Sequence, residues 1–292
     1  MTKRRKSFTL VELLVAVALL SLIVMLLLQL FGGAQRIWIA SEKTNNIYAN
    51  GRVAMELMAD LLSTVQFSHG ENAAGNRDST KDMIFWLDSA NKQNAPKGTT
   101  EYDSNIIIFV TKTARDLPIK DNTTCFISFR LGNNGNEKTR GKLFMVIYSD
   151  KNGDFYNYFP IYKTLGSRGS ALNSLKLQMN ALVPTDSTSA DSEKENCQVI
   201  AENVVAFKIN AYVLDASGKL EKKDDSSDIA EPPYMIELQL TVLDPDSYKR
   251  WIELECDKAY LDQHKRTFTR GVHIGPRWDL EAQTSSGSGS GD

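Results

Sequence analysis

The sequence predicts an α+β fold, in which a long N-terminal transmembrane-amphipathic helix packs on a mostly antiparallel β ectodomain. Three observations carry that prediction. An apolar block runs from Phe8 to Phe31, interrupted only by Thr9, Glu12, Ser21 and Gln29. Past it, apolar and small residues recur every three or four positions as far as Val65. From about residue 80 the period shortens, and runs rich in Ile, Val, Phe and Tyr alternate with turn residues.

Residues 8–31 read as a transmembrane helix. At ~1.5 Å per residue the block rises roughly 36 Å, enough for a hydrocarbon core of ~30 Å. Four basic residues, Lys3, Arg4, Arg5 and Lys6, stand just before it. The positive-inside bias keeps such a leader, residues 1–7, in the cytoplasm and sends the remainder out. The block is too long for a secretory signal peptide, and "GGAQRIWIASEK" after it offers no A-x-A cleavage site.

Residues 32–66 extend the helix outside the cytoplasm. Ile37, Ser41, Thr44, Ile47, Tyr48, Gly51, Ala54, Met55, Met58, Leu61, Leu62 and Val65 form one face. Arg36, Glu42, Lys43, Asn50, Arg52, Glu56 and Asp60 fall largely on the other, the pattern of an amphipathic helix. Gly32-Gly33 marks a bend or flexible point.

Residues 80–279 form the β-rich ectodomain. Strands are expected in "DMIFWL" (82–87), "NIIIFVTK" (105–112), "TCFISFRL" (124–131), "KLFMVIYS" (142–149), "FYNYFPIY" (155–162), "NVVAFKINAYVLD" (203–215) and "PYMIELQLTVLD" (233–244). Residues 247–265 read as helical, with Trp251, Leu254, Ala259 and Leu261 on one side, and 267–274 as a last strand. Stretches poor in apolar residues, at 69–80, 89–104, 183–196 and 221–231, read as linkers. The tail, 280–292, ends in a flexible Ser/Gly run.

Charge and composition exclude several function classes. The formal charge is −2, and removing the four leader cations lowers it to −6, so nucleic acid is not an expected partner. The cysteines Cys125, Cys197 and Cys256 are widely spaced, with no C-x-x-C. They leave open one disulfide plus a spare thiol, or three small core residues. The histidines His69, His264 and His273 are too scattered for a metal site, and His264 and His273 read as surface residues. "DKNGD" (150–154) could chelate calcium, but its glycine falls at the wrong position for an EF-hand, so a hairpin turn at 148–156 is favoured. The acidic run 221–228 reads as a solvated loop, and the aromatics of 155–162 as core rather than a sugar platform. No nucleophile elbow, P-loop or dinucleotide fingerprint occurs. Catalysis, a metal and a cofactor are therefore not expected.

Glu12 is the anomaly, because a carboxylate in a membrane span is costly and needs a partner. Its setting, "KSFTLVELL", resembles the class III signal of type IV pilins and type II secretion pseudopilins. The resemblance implies a prepilin peptidase cut between Ser7 and Phe8, N-methylation of Phe8, and Glu12 as the fifth mature residue. In that family the acid pairs with the N-terminal amine of a neighbouring subunit and so serves filament assembly. The family usually has Gly before the cut; here it is Ser7, also small. By this resemblance the fold is pilin-like, and the chain spans the inner (cytoplasmic) membrane once, with a periplasmic or extracytoplasmic ectodomain. Its partners would be the peptidase and other pilin or pseudopilin subunits, met through the N-terminal helix.

The ectodomain motifs "GRVAMELMADL" (51–61), "PPYMIELQLTVLDPDSYKRW" (232–251) and "RTFTRGVHIGPRW" (266–278) resemble the C-type protein of the Verru_Chthon cassette and J-class minor pseudopilins. The chain's length suits a minor subunit. Two other classes stand beside this one: a ligand-binding (adhesive) ectodomain on a filament or anchor, marked by a surface pocket, and an anchored enzyme, marked by a cleft of perturbed titratable groups.

Overall fold

The computed structural model describes residues 10–65, 85–98, 100–112, 124–149, 168–184, 196–214, 217–223 and 233–274. The chain divides between Tyr48 and Ala49 into two units. Its α+β architecture is a long N-terminal helix followed by antiparallel sheets. Helix α1 covers Leu10–Ser63, 54 residues, and continues through Gly32 and Gly33.

The second unit begins inside α1. Gly51, Ala54, Met55, Met58, Leu61 and Leu62 form its buried stripe, at the three- and four-residue spacing of one helix face. The expected face was longer, starting at Ile37. Ile37 and Tyr48 are instead 74% and 48% exposed. They belong to the first unit, whose described part is helix alone.

Among the described residues, sheet one has five antiparallel strands in the order β1, β4, β5, β6, β7: Trp86–Asp88, Ile106–Lys112, Thr124–Leu131, Lys142–Ser149 and Cys197–Glu202. Both faces are covered, so β4 to β6 read as nearly continuous apolar runs. On one face Trp86, Ile108, Val110, Phe126, Phe144 and Val146 pack under helix α2, Arg168–Leu182. The sequence reading missed α2. Its anchors Leu172, Leu175 and Met179 are buried, but Ser, Asn and Lys between them dilute the pattern. Lys176 of α2 stacks its ammonium 3.8 Å above the Trp86 ring, and the buried Arg130 guanidinium donates to Asn180. Ile107, Phe109, Ile127, Phe129, Leu143 and Met145 point to the opposite face. The end of α1 reaches that face, where the Thr64 and Thr111 hydroxyls lie 2.7 Å apart.

Sheet two has the order β11, β10, β8, β9: Arg266–His273, Met235–Val242, Val204–Leu214 and Leu220–Lys223. Strand β10 alternates cleanly, burying Ile236, Leu238, Leu240 and Val242. Phe268 of β11 shares that face by register with Leu240 and meets α1 at Gly51, where any Cβ would lie 2.4 Å from the Phe268 ring. Any larger residue at 51 would have to displace that ring.

Several segments differ from the sequence reading. The linker at 89–104 contains a hairpin, β2 (Lys92–Asn94) with β3 (Glu101–Asp103), whose polar strands carry no apolar signal. Strand β7 begins just where the linker at 183–196 ends, and β9 overlaps the linker at 221–231. The helix expected over 247–265 is two helices, α3 (Pro245–Glu253) and α4 (Lys258–His264). Glu255 and Cys256 between them take φ of 56° and 64°, left-handed values that end a right-handed helix. Asp244 and Asp257 cap the two N-termini, Asp244 accepting from the Ser247 N–H at 2.9 Å. Trp251, Tyr248, Cys256 and Leu261 then close a small core with Tyr102 of β3. The expected strand at 155–162, the linker at 69–80 and the tail at 280–292 lie outside the described residues.

No disulfide joins the cysteines: all three are free thiols. Cys125 is paired with Thr111 on the face opposite α2, Cys197 lies on the α2 face, and Cys256 sits in the third cluster. The alternative of a disulfide is thereby set aside.

Asn105, fully buried, ties the two sheets together. Its N–H donates to the Phe207 carbonyl at 2.9 Å, and its Oδ1 accepts from the Ile209 N–H at 2.7 Å. Its Nδ2 donates to the carbonyls of Ser89 (2.9 Å) and Asn91 (3.1 Å). The side chain thus behaves like a stretch of backbone bridging β8 and the 89–91 turn. Asn105→Leu strands the buried Ile209 N–H and takes one donor each from the Ser89 and Asn91 carbonyls, the latter keeping the Ser104 N–H at 2.9 Å, so a loss of about 2 kcal/mol is expected in denaturant unfolding of the ectodomain. A change under about 0.5 kcal/mol would contradict this assignment.

Candidate membrane and assembly segment

The first unit carries the clearest functional feature. From Leu10 to Ile39, 30 residues of α1 are apolar enough to cross a membrane, and none is buried. Exposure of its large side chains ranges from 46% at Val24 to 76% at Leu10. Leaving a Leu, Ile or Val side chain in water rather than apolar surroundings forfeits ~1.5–3 kcal/mol. More than a dozen such residues amount to tens of kcal/mol, well above the ~5–15 kcal/mol that holds a domain folded. This helix needs lipid or other helices around it. The Ser21 hydroxyl donates to the Val17 carbonyl at 2.8 Å, one turn back.

Glu12 lies on this exposed helix. Ser7, Phe8 and the basic residues Lys3, Arg4, Arg5 and Lys6 lie outside the described residues. The sequence reading ended the span at Phe31. The apolar stretch continues to Ile37, Trp38 and Ile39, of which Trp38 is 74% exposed. An Ile-Trp-Ile triplet after a lone Arg36 was the available signal.

The other sequence candidates fare differently. His264 is exposed and stacks on Tyr260, with ring centroids 4.2 Å apart, and the exposed His273 meets Tyr234 edge to face. Both are surface residues, as expected. Among the described residues no group of three potential metal ligands gathers. His69, residues 150–154 and the aromatic run 155–162 lie outside the described residues. Of the acidic run, Glu221, Lys222 and Lys223 belong to β9.

One polar cluster was not anticipated. On the face of sheet two opposite Ile236 and Leu238, Glu237 accepts from Asn210 Nδ2 at 2.8 Å and from the Tyr212 hydroxyl at 3.1 Å. The Asn210 bond foremost, with help from Tyr212, Gln239 and Lys208, holds this carboxyl below its usual range against the opposing effect of burial. A depressed folded-state value stabilises the fold above the unfolded value of ~4.3, and that stabilisation is lost as pH falls through the folded value. Glu237→Gln should therefore flatten the loss of stability between about pH 5 and pH 3, read as unfolding midpoints across that range. Parallel acid limbs in parent and variant would contradict it.

Residues 2–28 match the family model of the prokaryotic N-terminal methylation motif. No curated protein matches the chain. The motif spans the basic leader, the Ser7–Phe8 bond and Glu12, and coincides with the exposed apolar part of α1. Motif and helix together support membrane anchoring. They support a pilin- or pseudopilin-like protein, processed by a prepilin peptidase and assembled with other such subunits.

Proposed function

We propose that the chain is a minor pilin- or pseudopilin-type structural subunit, not a catalyst, of a type II secretion-type or type IV pilus-type filament. The observation that carries this reading is the coincidence of the methylation motif at residues 2–28 with an apolar helix that is exposed throughout. A cut between Ser7 and Phe8 releases a new amine, which is methylated at Phe8. Glu12 then stands one turn into the mature helix, where the positive end of the helix dipole favours a carboxylate. In the filament it pairs with the amine of a neighbouring subunit, which neutralises two charges that packed apolar helices would otherwise leave without solvent. The ectodomain sequences that resemble J-class minor pseudopilins and the Verru_Chthon C-type protein favour a minor place in the filament. Specificity then lies on the β surface of the second unit, outside the cytoplasm.

Glu12→Leu separates the roles of the acid from those of the helix. The variant should still enter the membrane and keep its ectodomain fold. Its cross-linking into high-mass assemblies in the native host should fall at least about tenfold, the equivalent of ~1.4 kcal/mol. Assembly at parental levels would remove Glu12 from the mechanism.

A further inference from the structure

The apolar helix is longer than a bilayer needs. Leu10–Ile39 rises about 45 Å against a hydrocarbon core of ~30 Å, so several registers are open to it. Charge selects among them. Between Glu12 and Arg36 the helix has no ionisable side chain, and both of these residues are exposed. The rise from one to the other is about 36 Å, or about 34 Å along the membrane normal at the usual tilt of ~20°.

We propose that residues 13–35 cross the hydrocarbon, with Glu12 in one headgroup layer and Arg36 and Trp38 in the other. The inference rests on the membrane reading above and fixes its depth. In the alternative register, with 8–31 in the core, Glu12 lies roughly 6 Å inside the hydrocarbon. Charged side chains are disfavoured there. That register also leaves the exposed Ile37, Trp38 and Ile39 beyond the interface in water. Sliding the helix by about one turn relieves both. The Arg36 guanidinium then meets lipid phosphates with its forked donors, and the Trp38 indole takes the interfacial depth at which tryptophans collect. Gly32, Gly33 and Ala34 enter the core, where small residues are tolerated. In this register the unassembled chain holds Glu12 at the lipid–water boundary, and the acid enters apolar surroundings only on assembly.

The test is thiol accessibility of the full chain in membranes of a host lacking a prepilin peptidase, probed with a membrane-impermeant maleimide. The positions are Val11→Cys, Ala16→Cys, Gly33→Cys and Ile37→Cys, with labelling of the parent's own thiols subtracted. Val11, Ala16 and Ile37 are exposed on the helix, and a Cβ at Gly33 meets nothing within 4 Å, so the helix accommodates each change. Cysteines at 11 and 37 should label at least tenfold faster than those at 16 and 33, and from opposite sides of the membrane. Protection at 11 with labelling at 33 would overturn the register while leaving the anchor intact. Release of the chain by carbonate washing would overturn both. Arg36→Leu gives an independent readout: it should draw position 37 into the core and slow its labelling, and unchanged labelling would refute the role of Arg36.

Discussion

A single helix has to satisfy two environments, and the rest of the structure depends on how its residues are divided between them. From Leu10 to Ile39 the Leu, Ile and Val side chains of α1 stand open. From Gly51 to Leu62 the same helix carries a buried stripe in the ectodomain core. The first stretch is stable only in lipid or among other helices; the second is held by the fold it helps to build. Gly51 marks the transition, because the Phe268 ring of β11 fills the place of its side chain.

Within the ectodomain, polar residues at a few positions join two sheets that hydrophobic burial alone would leave free to slide. Asn105 supplies four hydrogen bonds between the start of β4, strand β8 and the 89–91 turn. The chain leaves sheet one for sheet two at Asn203, whose φ of 57° turns β7 into β8. Leu243 donates to the Asn203 carbonyl and Val204 to that of Gly141, which fastens this crossing to β10 and to the β5–β6 turn. Because α1 touches sheet one at Thr111 and sheet two at Phe268, its C-terminal turns share in the same framework. Load applied to these turns would therefore meet two sheets rather than a loose linker.

The sequence was most legible where periodicity was strong. The apolar block, the continuation of the helix and strands β4, β5, β6, β8, β10 and β11 could all be read from it. What it concealed shares a physical cause: elements held by tertiary contacts rather than local pattern. Helix α2 depends on Leu172, Leu175 and Met179 meeting sheet one across a polar sequence. The β2–β3 hairpin is polar and stays put through neighbours such as Asn134, whose side chain donates to the Asn94 carbonyl. The break between α3 and α4 falls on Glu255 and Cys256, with neither glycine nor proline to announce it. At the candidate site, the acid was legible because a charge in an apolar run is conspicuous. Arg36 and Trp38 were not, since they lie beyond Phe31, in the stretch read as the helix's extension outside the membrane.

Under the proposed function, chemistry at the N-terminus turns an anchored chain into a filament subunit. Its most direct test is the intact mass of the membrane-extracted protein from cells with and without a prepilin peptidase. With the peptidase, the chain should begin at Phe8 and be about 14 Da heavier than the bare cut product, the mass of one added methyl group. A chain that keeps residues 1–7 in the peptidase's presence would mean that Ser7 blocks the cut. The protein would then be an anchored ectodomain, and Glu12 would have no neighbouring amine to meet.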